Sequence, residues 1–179
     1  QDDRQRVDLV ADQITAAIRV QADAPGTEAE LGKDLRSRAM QEISESYDQE
    51  YGGFGNAPKF PRPGITRYLL GVAAGQDEYS AEAKRMLRGT LTSMSGGGLY
   101  DHVGGGFHRY FVDAQWRGAH FEKMLYDNAL LARLCLRAWQ VTGEPWMVET
   151  ARETFDYLAR DMRDPSGGIH SAEDADAGG

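Results

Sequence analysis

Three glycine-rich joints decide how this sequence folds: Asp48-Gln-Glu-Tyr-Gly-Gly-Phe54, Ser95-Gly-Gly-Gly-Leu-Tyr-Asp101 and Asp164-Pro-Ser-Gly-Gly-Ile-His170. Each is a Gly-Gly-apolar turn that follows a segment of helical periodicity. Before the first, Leu31, Leu35, Ala39, Ile43 and Tyr47 recur every four residues. Before the second, Ala83, Met86, Leu87, Leu91 and Met94 share a face behind Ser80, which reads as an N-cap. Before the third, Val148, Ala151, Phe155, Leu158 and Met162 form a stripe that opens at Pro145. Between the joints lie two more helical segments. Ile65, Tyr68, Leu69 and Val72 follow Pro61-Arg62-Pro63. The stretch from Glu122 to Val141 is apolar nearly all round, which predicts burial on most sides, and Gly143 ends it. A leading stripe of Val7, Val10, Ile14, Ala17 and Ile18 fades into the turn Ala24-Pro25-Gly26-Thr27. Six helices with alternating rich and plain connections predict an all-α fold: a partial (α/α)6 toroid of helical hairpins with long Gly-rich loops at one end. A generic bundle would not need the recurrent turns.

Composition narrows the function. The 179 residues are 41% apolar and 27% charged, as expected of a folded chain. A net charge of −8, with no basic run, argues against a nucleic-acid surface. No stretch reads as a membrane span, since Leu125 to Trp139 is interrupted by Asp127, Asn128, Arg133 and Arg137. The single cysteine, Cys135, excludes a disulfide framework within these residues and reads as a small core hydrophobe. No targeting segment is visible, both ends look like cuts, and the expectation is a fragment of a cytoplasmic protein.

The longest joint, Gly96 to His120, exceeds a simple turn, and a loop of that length in a compact domain is usually functional. Phe107 to Val112 reads as a short strand, with Phe107, Arg109 and Phe111 on one face and His108, Tyr110 and Val112 on the other. All four histidines, His102, His108, His120 and His170, fall in glycine-rich joints, so a toroid could bring them together at one end. Gly104-Gly105-Gly106 leads into a strand rather than a helix, which disfavours a phosphate cradle. His102, His108, His120 and Glu122 are competent metal ligands, yet their spacing matches no helix-borne zinc signature, so no metal and no cofactor is assigned. Acid–base chemistry on a polar organic substrate fits the cluster better. Trp116, Tyr100, Tyr110 and Phe107 offer flat faces for a sugar ring. A two-carboxylate mechanism would pair Asp101 or Glu122 with Asp174 or Asp176. Glu122, Lys123, Asp127 and Asn128 open a buried helix and read as cavity-lining. Lys59, in a rigid Asn56 to Pro61 turn, could reach the same end.

Four strings carry a family resemblance: Tyr51 to Pro61, Tyr100 to Tyr110, His120 to Ala129 and Ser171 to Asp176. Together they resemble the YyaL-type, spermatogenesis-associated-protein-20-like proteins. That resemblance implies a thioredoxin-like domain followed by an (α/α)6 barrel similar to six-hairpin glycosidases and sugar epimerases. It makes residues 1–27 a lead-in helix and linker, and residues 28–179 the first hairpins of the barrel. The thioredoxin-like domain and the rest of the barrel would then lie outside this chain. Two positions depart from the expected pattern, Phe111 after His-Arg-Tyr and Ala177 after Asp-Ala-Asp, which leaves the polar residues intact. The functional expectation is sugar epimerase, isomerase or glycosidase chemistry on a small polar substrate. His108 and His120 transfer protons, with Glu122, Asp101 and Asp174 as partners. His102, Arg109, Tyr110, Trp116, Lys123, Asp127, Asp176 and His170 bind substrate. The alternative is a non-catalytic binding or client-recognition barrel serving the thioredoxin-like domain.

Overall fold

The computed structural model describes residues 2–23 and 34–176. The turn at residues 24–27 and the boundary at 27/28 lie outside them. The chain divides into two compact units, residues 1–35 and 36–179. The first holds α1, Asp2–Ala22, along which the leading apolar stripe runs. The second contains most of α2, Asp34–Ser46, then α3, Pro63–Ala73, α4, Ser80–Gly96, α5, Leu125–Thr142, and α6, Pro145–Arg160. Four two-residue strands complete it: β1, Tyr110–Phe111, β2, Ala119–His120, β3, Lys123–Met124, and β4, Ala172–Glu173. The architecture is mostly helical, as the periodicity predicts.

The helices of the second unit largely begin and bury as their sequences dictate, with three corrections, whereas Val7, Val10, Ile14 and Ile18 of the α1 stripe are exposed. Pro63 and Pro145 open α3 and α6, where a missing N–H costs nothing. Gly143 closes α5 in the left-handed region at φ 75°, and its N–H donates to the Trp139 carbonyl. Ser80 is the first residue of α4 rather than its cap; its hydroxyl bonds Asp77 instead. In α6 the buried stripe steps by threes from Ala151 to Thr154 and Tyr157, so Phe155 falls off it and is 46% exposed. The third correction concerns α5, which is not buried on most sides. Among the described residues α3 and α6 are the helices that pack most extensively against it. They cover Leu131, Leu134, Cys135 and Ala138, while Leu130 and Trp139 on the same apolar helix face solvent. The core between the helices is closed by Leu69, Met86, Leu87, Leu91, Met94, Leu99, Phe107, Phe111 and Leu131, all fully buried. Burial pushes the Cys135 thiol up to about 12, which makes it the inert core residue expected.

The rich joints hold short strand pairs rather than plain turns. β1 pairs antiparallel with β2, Tyr110 opposite His120. β3 pairs antiparallel with β4, Lys123 opposite Glu173. Lys59 exchanges both backbone hydrogen bonds with Phe111, at 2.9 and 3.0 Å. The expected strand over 107–112 is thus shortened to two residues, because Phe107 pairs with Tyr100 in a separate bridge.

Candidate functional site

Two joints are built to one plan. In the first, Tyr47-Asp48-Gln-Glu-Tyr-Gly52-Gly53-Phe54, the Asp48 N–H donates to the Gly53 carbonyl and Gly52 N–H returns to the Asp48 carbonyl. In the second, Tyr100-Asp101-His-Val-Gly-Gly105-Gly106-Phe107, Asp101 bonds Gly106 and Gly105 in the same way. The second repeat therefore runs from Asp101 to Phe107, not from Ser95 to Asp101 as its first glycine triplet suggests. All four of these glycines take positive φ, from 68° to 81°, a region that penalises a Cβ.

A buried lysine locks each joint. Lys59 Nζ donates to Asp48 Oδ2 at 2.6 Å and to the Gly52 and Ala114 carbonyls at 2.9 Å. Lys123 Nζ donates to Asp101 Oδ2 at 2.7 Å and to the Gly105 carbonyl at 3.0 Å. Each ammonium also lies over an aromatic ring, Trp116 for Lys59 and Tyr157 for Lys123. Burial alone would raise the Asp101 carboxyl. The Gly104 N–H, the Lys123 ammonium and the Val103 N–H outweigh it and hold the group well below the usual carboxylate range. Asp101 and Lys123, expected to meet substrate, thus spend their bonding capacity on the joint. Lys59 is likewise a buried lock. The third joint keeps the turn, with Asp164 N–H on the Gly168 carbonyl, but Asp164 meets Ser166 and lies near His170 instead of a lysine.

The remaining expected residues lie chiefly on the segment between joint two and its lysine. His108 is 8% exposed, and its Nδ1 lies 3.1 Å from the Phe121 carbonyl. A carbonyl only accepts, so this hydrogen-bond network assigns the proton to Nδ1 and the lone pair to Nε2. Burial lowers its pKa, and the positive charge of Lys123 adds to that, so the imidazole is neutral at pH 7. Arg109 Nη1 meets Glu122 Oε2 at 2.6 Å, and Arg109 N–H donates to the Glu122 carbonyl. Asp127, 6% exposed in the first turn of α5, feels both charges. Burial drives its carboxyl up to about 6, against the pull of Arg109. Tyr110 and His120 stack at 4.7 Å, and the His120 Nδ1 is buried without a partner among the described residues.

Other expectations are not brought together. Trp116 is 3% exposed, with its ring edge-on to Phe111 and its Nε1 donating to the Tyr51 carbonyl, so it is core and not a stacking surface. His102 is exposed beside Tyr100 and reaches back to the Gly97 carbonyl. His170, Asp174 and Asp176 are exposed on the third joint. Among the described residues no hydrogen bond or ring contact joins any two histidines. No group of three or more His, Cys, Asp or Glu could hold a metal ion there. Asn128, read from the sequence as cavity-lining, instead uses its amide to clasp the Phe107 N–H and carbonyl at 2.6 and 3.0 Å and ties joint two to α5. Sequence reasoning missed the repeated Tyr-Asp-x-x-x-Gly-Gly-Phe, which was visible in the residues.

No protein-family model matches the chain. Rat (Rattus norvegicus) spermatogenesis-associated protein 20 is 45% identical over 147 residues, covering 80% of this chain and 18% of that protein. Spermatogenesis-associated protein 20 is a homologue of this chain. The chain spans 18% of the length of that relative. Among solved structures, cellobiose 2-epimerase from Bacillus thermoamylovorans matches at TM-score 0.63 and 14% identity, covering 79% of this chain and 40% of that one. A sugar epimerase from a ruminal bacterium matches at 0.60 and 17%, with the same coverage. At such identities these two likenesses show the fold alone. The chain is therefore mostly helical and resembles part of the (α/α)6 barrel of these epimerases. No helix of the described residues is long and apolar enough to cross a membrane.

Proposed function

We propose that this chain carries part of a carbohydrate-active site performing acid–base chemistry of the epimerase or isomerase kind. The observation that carries the reading is His108, a buried, neutral imidazole whose Nε2 lone pair is left over by the Phe121 contact. That is the state a general base requires at neutral pH. In this chemistry a base takes the proton from the carbon beside a sugar carbonyl, and a second group returns a proton to the other face. Nothing is oxidised overall and no group leaves. His108 takes the proton, His120 is the second carrier, and Arg109, Glu122 and Asp127 hold substrate oxygens. The names of the structural neighbours, both sugar epimerases, favour a sugar substrate. A hydrolase would need two carboxyls flanking one bond. Glu122 is committed to Arg109 and Asp174 is exposed on another joint, so that branch has less support. For the whole protein, a preceding thioredoxin-like domain and a cytoplasmic location complete the proposal.

The test uses the full-length protein with a panel of mono- and disaccharides in deuterated water. Deuterium entering the carbon beside the carbonyl, and its loss by about 100-fold or more in His108→Ala, is the expected result. Undiminished exchange in both His108→Ala and His120→Ala overturns the assignment. Sugar binding without any exchange points to the binding-barrel alternative.

A further inference from the structure

We infer that Phe60, Tyr110 and His120 form a stacking platform for the apolar face of a pyranose ring, with Phe60 as the surface the ring meets. The inference rests on the sugar reading above and names a contact that the sequence assigned to Trp116.

Strand alternation builds the platform. Lys59 and Phe111 pair across a bridge, and both send their side chains fully into the core. Their neighbours Phe60 and Tyr110 therefore project from the opposite side. Tyr110 stands opposite His120 in the β1–β2 pair, which brings the third ring to the same side. The rings lie nearly parallel: Phe60 to Tyr110 at 4.9 Å and 25°, Tyr110 to His120 at 4.7 Å and 17°. The other five aromatic pairs among the described residues cross at 56–85°. Tilted pairs interlock and fill a core. A parallel column instead keeps a flat ring face at its end, and here that end is Phe60, 41% exposed.

The column also limits the entropy cost of binding, because Phe60 is already held in one orientation by Tyr110. Its other member, His120, is the second proton carrier of the proposed reaction. Two ring spacings, 4.9 and 4.7 Å, separate Phe60 from His120 along the column, so a ring lying on the outer face of Phe60 is oriented at the far end of the column from that proton carrier. Pyranoses with equatorial hydroxyls present the flat C–H face such a platform suits, whereas an acyclic polyol has the same hydroxyl chemistry and no face.

The experiment measures binding of glucose, cellobiose and sorbitol to the full-length protein by calorimetry, for the native protein, Phe60→Ala and Phe60→Trp. The expected result is a loss of about tenfold for glucose and cellobiose in Phe60→Ala, equivalent to about 1.4 kcal/mol. Phe60→Trp is expected to keep native affinity within about threefold and to show a pyranose-dependent change in fluorescence over the native protein. Sorbitol is expected to distinguish none of the three. Equal pyranose binding by native protein and Phe60→Ala overturns the platform and leaves the sugar reading standing. No binding of either pyranose by the native protein overturns both. Should Phe60→Ala fail to fold, an unresponsive Phe60→Trp that binds pyranose normally overturns the platform alone.

Discussion

The first and second joints share a plan and differ by an insertion. Both run Tyr-Asp-x-x-x-Gly-Gly-Phe, both fold into the same exchange of backbone hydrogen bonds, and both are locked by a buried lysine. In the first the lysine comes 11 residues after the aspartate, Lys59 after Asp48; in the second it comes 22 after, Lys123 after Asp101. The additional residues are the β1–β2 pair and its flanks. They hold His108, Arg109, Tyr110, His120 and Glu122, while the first joint has no histidine at all. What recurs in both is scaffold, and what only the second has is the candidate chemistry. On this basis Asp101 and Lys123 move from the substrate to the frame.

The most severe way to break the comparison is to remove the locks. Lys59→Met and Lys123→Met each leave a carboxylate and a glycine carbonyl without their donor, and each is expected to cost about 3–5 kcal/mol in chemical unfolding. Lys59 is expected to cost more, because it is fully buried with three acceptors, whereas Lys123 is 5% exposed with two. If Lys123→Met leaves stability unchanged, the lysine belongs to the site and the shared plan is accidental. Next come the glycines that let each turn approach its neighbour. A Cβ on Gly53 would stand 2.6 Å from Trp116 Cζ2, and one on Gly106 would stand 2.5 Å from Tyr157 Cδ1, both at positive φ. Gly53→Ala and Gly106→Ala are each expected to lose about 2–4 kcal/mol of unfolding free energy. Similar losses sharpen the equivalence of the joints, and a neutral result at either breaks it.

Much of this was legible in the sequence, and the reason it was partial is physical. Helix positions follow from periodicity and from Pro63, Pro145 and Gly143, because local chemistry sets them. The sequence overstates the burial of α5 because an apolar composition states what can be buried, not which neighbours are present to cover Leu130 and Trp139. The joints are evident from their glycines, yet glycine count alone points to Ser95 for the middle one, whereas the aspartate that organises the turn is Asp101. Lys59 and Lys123 could not be placed by sequence alone. A lysine 11 or 22 residues from its carboxylate meets it only through tertiary pairing, here with Phe111 and Glu173. Trp116 differs for a related reason: an aromatic residue suits a core and a sugar equally, and here Lys59 lies over its ring while Phe111 packs against it edge-on.

A pH experiment separates scaffold carboxylates from site carboxylates by sign. Asp48 and Asp101 titrate below the ordinary carboxylate range in the folded state. Their stabilisation is complete above about pH 4 and is lost as pH falls through their depressed values. Asp127 behaves oppositely, since its folded value of about 6 exceeds the unfolded one. Between about pH 4 and pH 6 the folded state holds the extra proton, so stability falls as pH rises across that window. Asp127→Asn is expected to flatten this fall and to add about 1–2 kcal/mol at pH 7, discounted for solvent reaching the edge of the group. A denaturation series from pH 3 to pH 8 checks it, and an unaltered profile would remove Asp127 from the buried cluster.

The smallest expected effect on stability is the most informative about function. The Arg109–Glu122 pair is only 2.6 Å long, yet both side chains keep solvent contact, with exposures of 39% and 20%. A pair so placed is screened by water and salt and adds little to folding. The scaffold does not need it either, since the backbone bond from Arg109 N–H to the Glu122 carbonyl holds the strands together without it. Glu122→Gln keeps the shape and the side-chain oxygen while removing the charge. Its melting temperature is expected to stay within about 2 °C of the native protein's, since surface substitutions rarely shift stability further. If the pair holds substrate oxygens, the same change raises the apparent KM for the pyranose while the fold is untouched. A large fall in melting temperature would instead class Glu122 with Asp101, as part of the frame, and the insertion would then carry one functional charge fewer than the comparison of the two joints assigns to it.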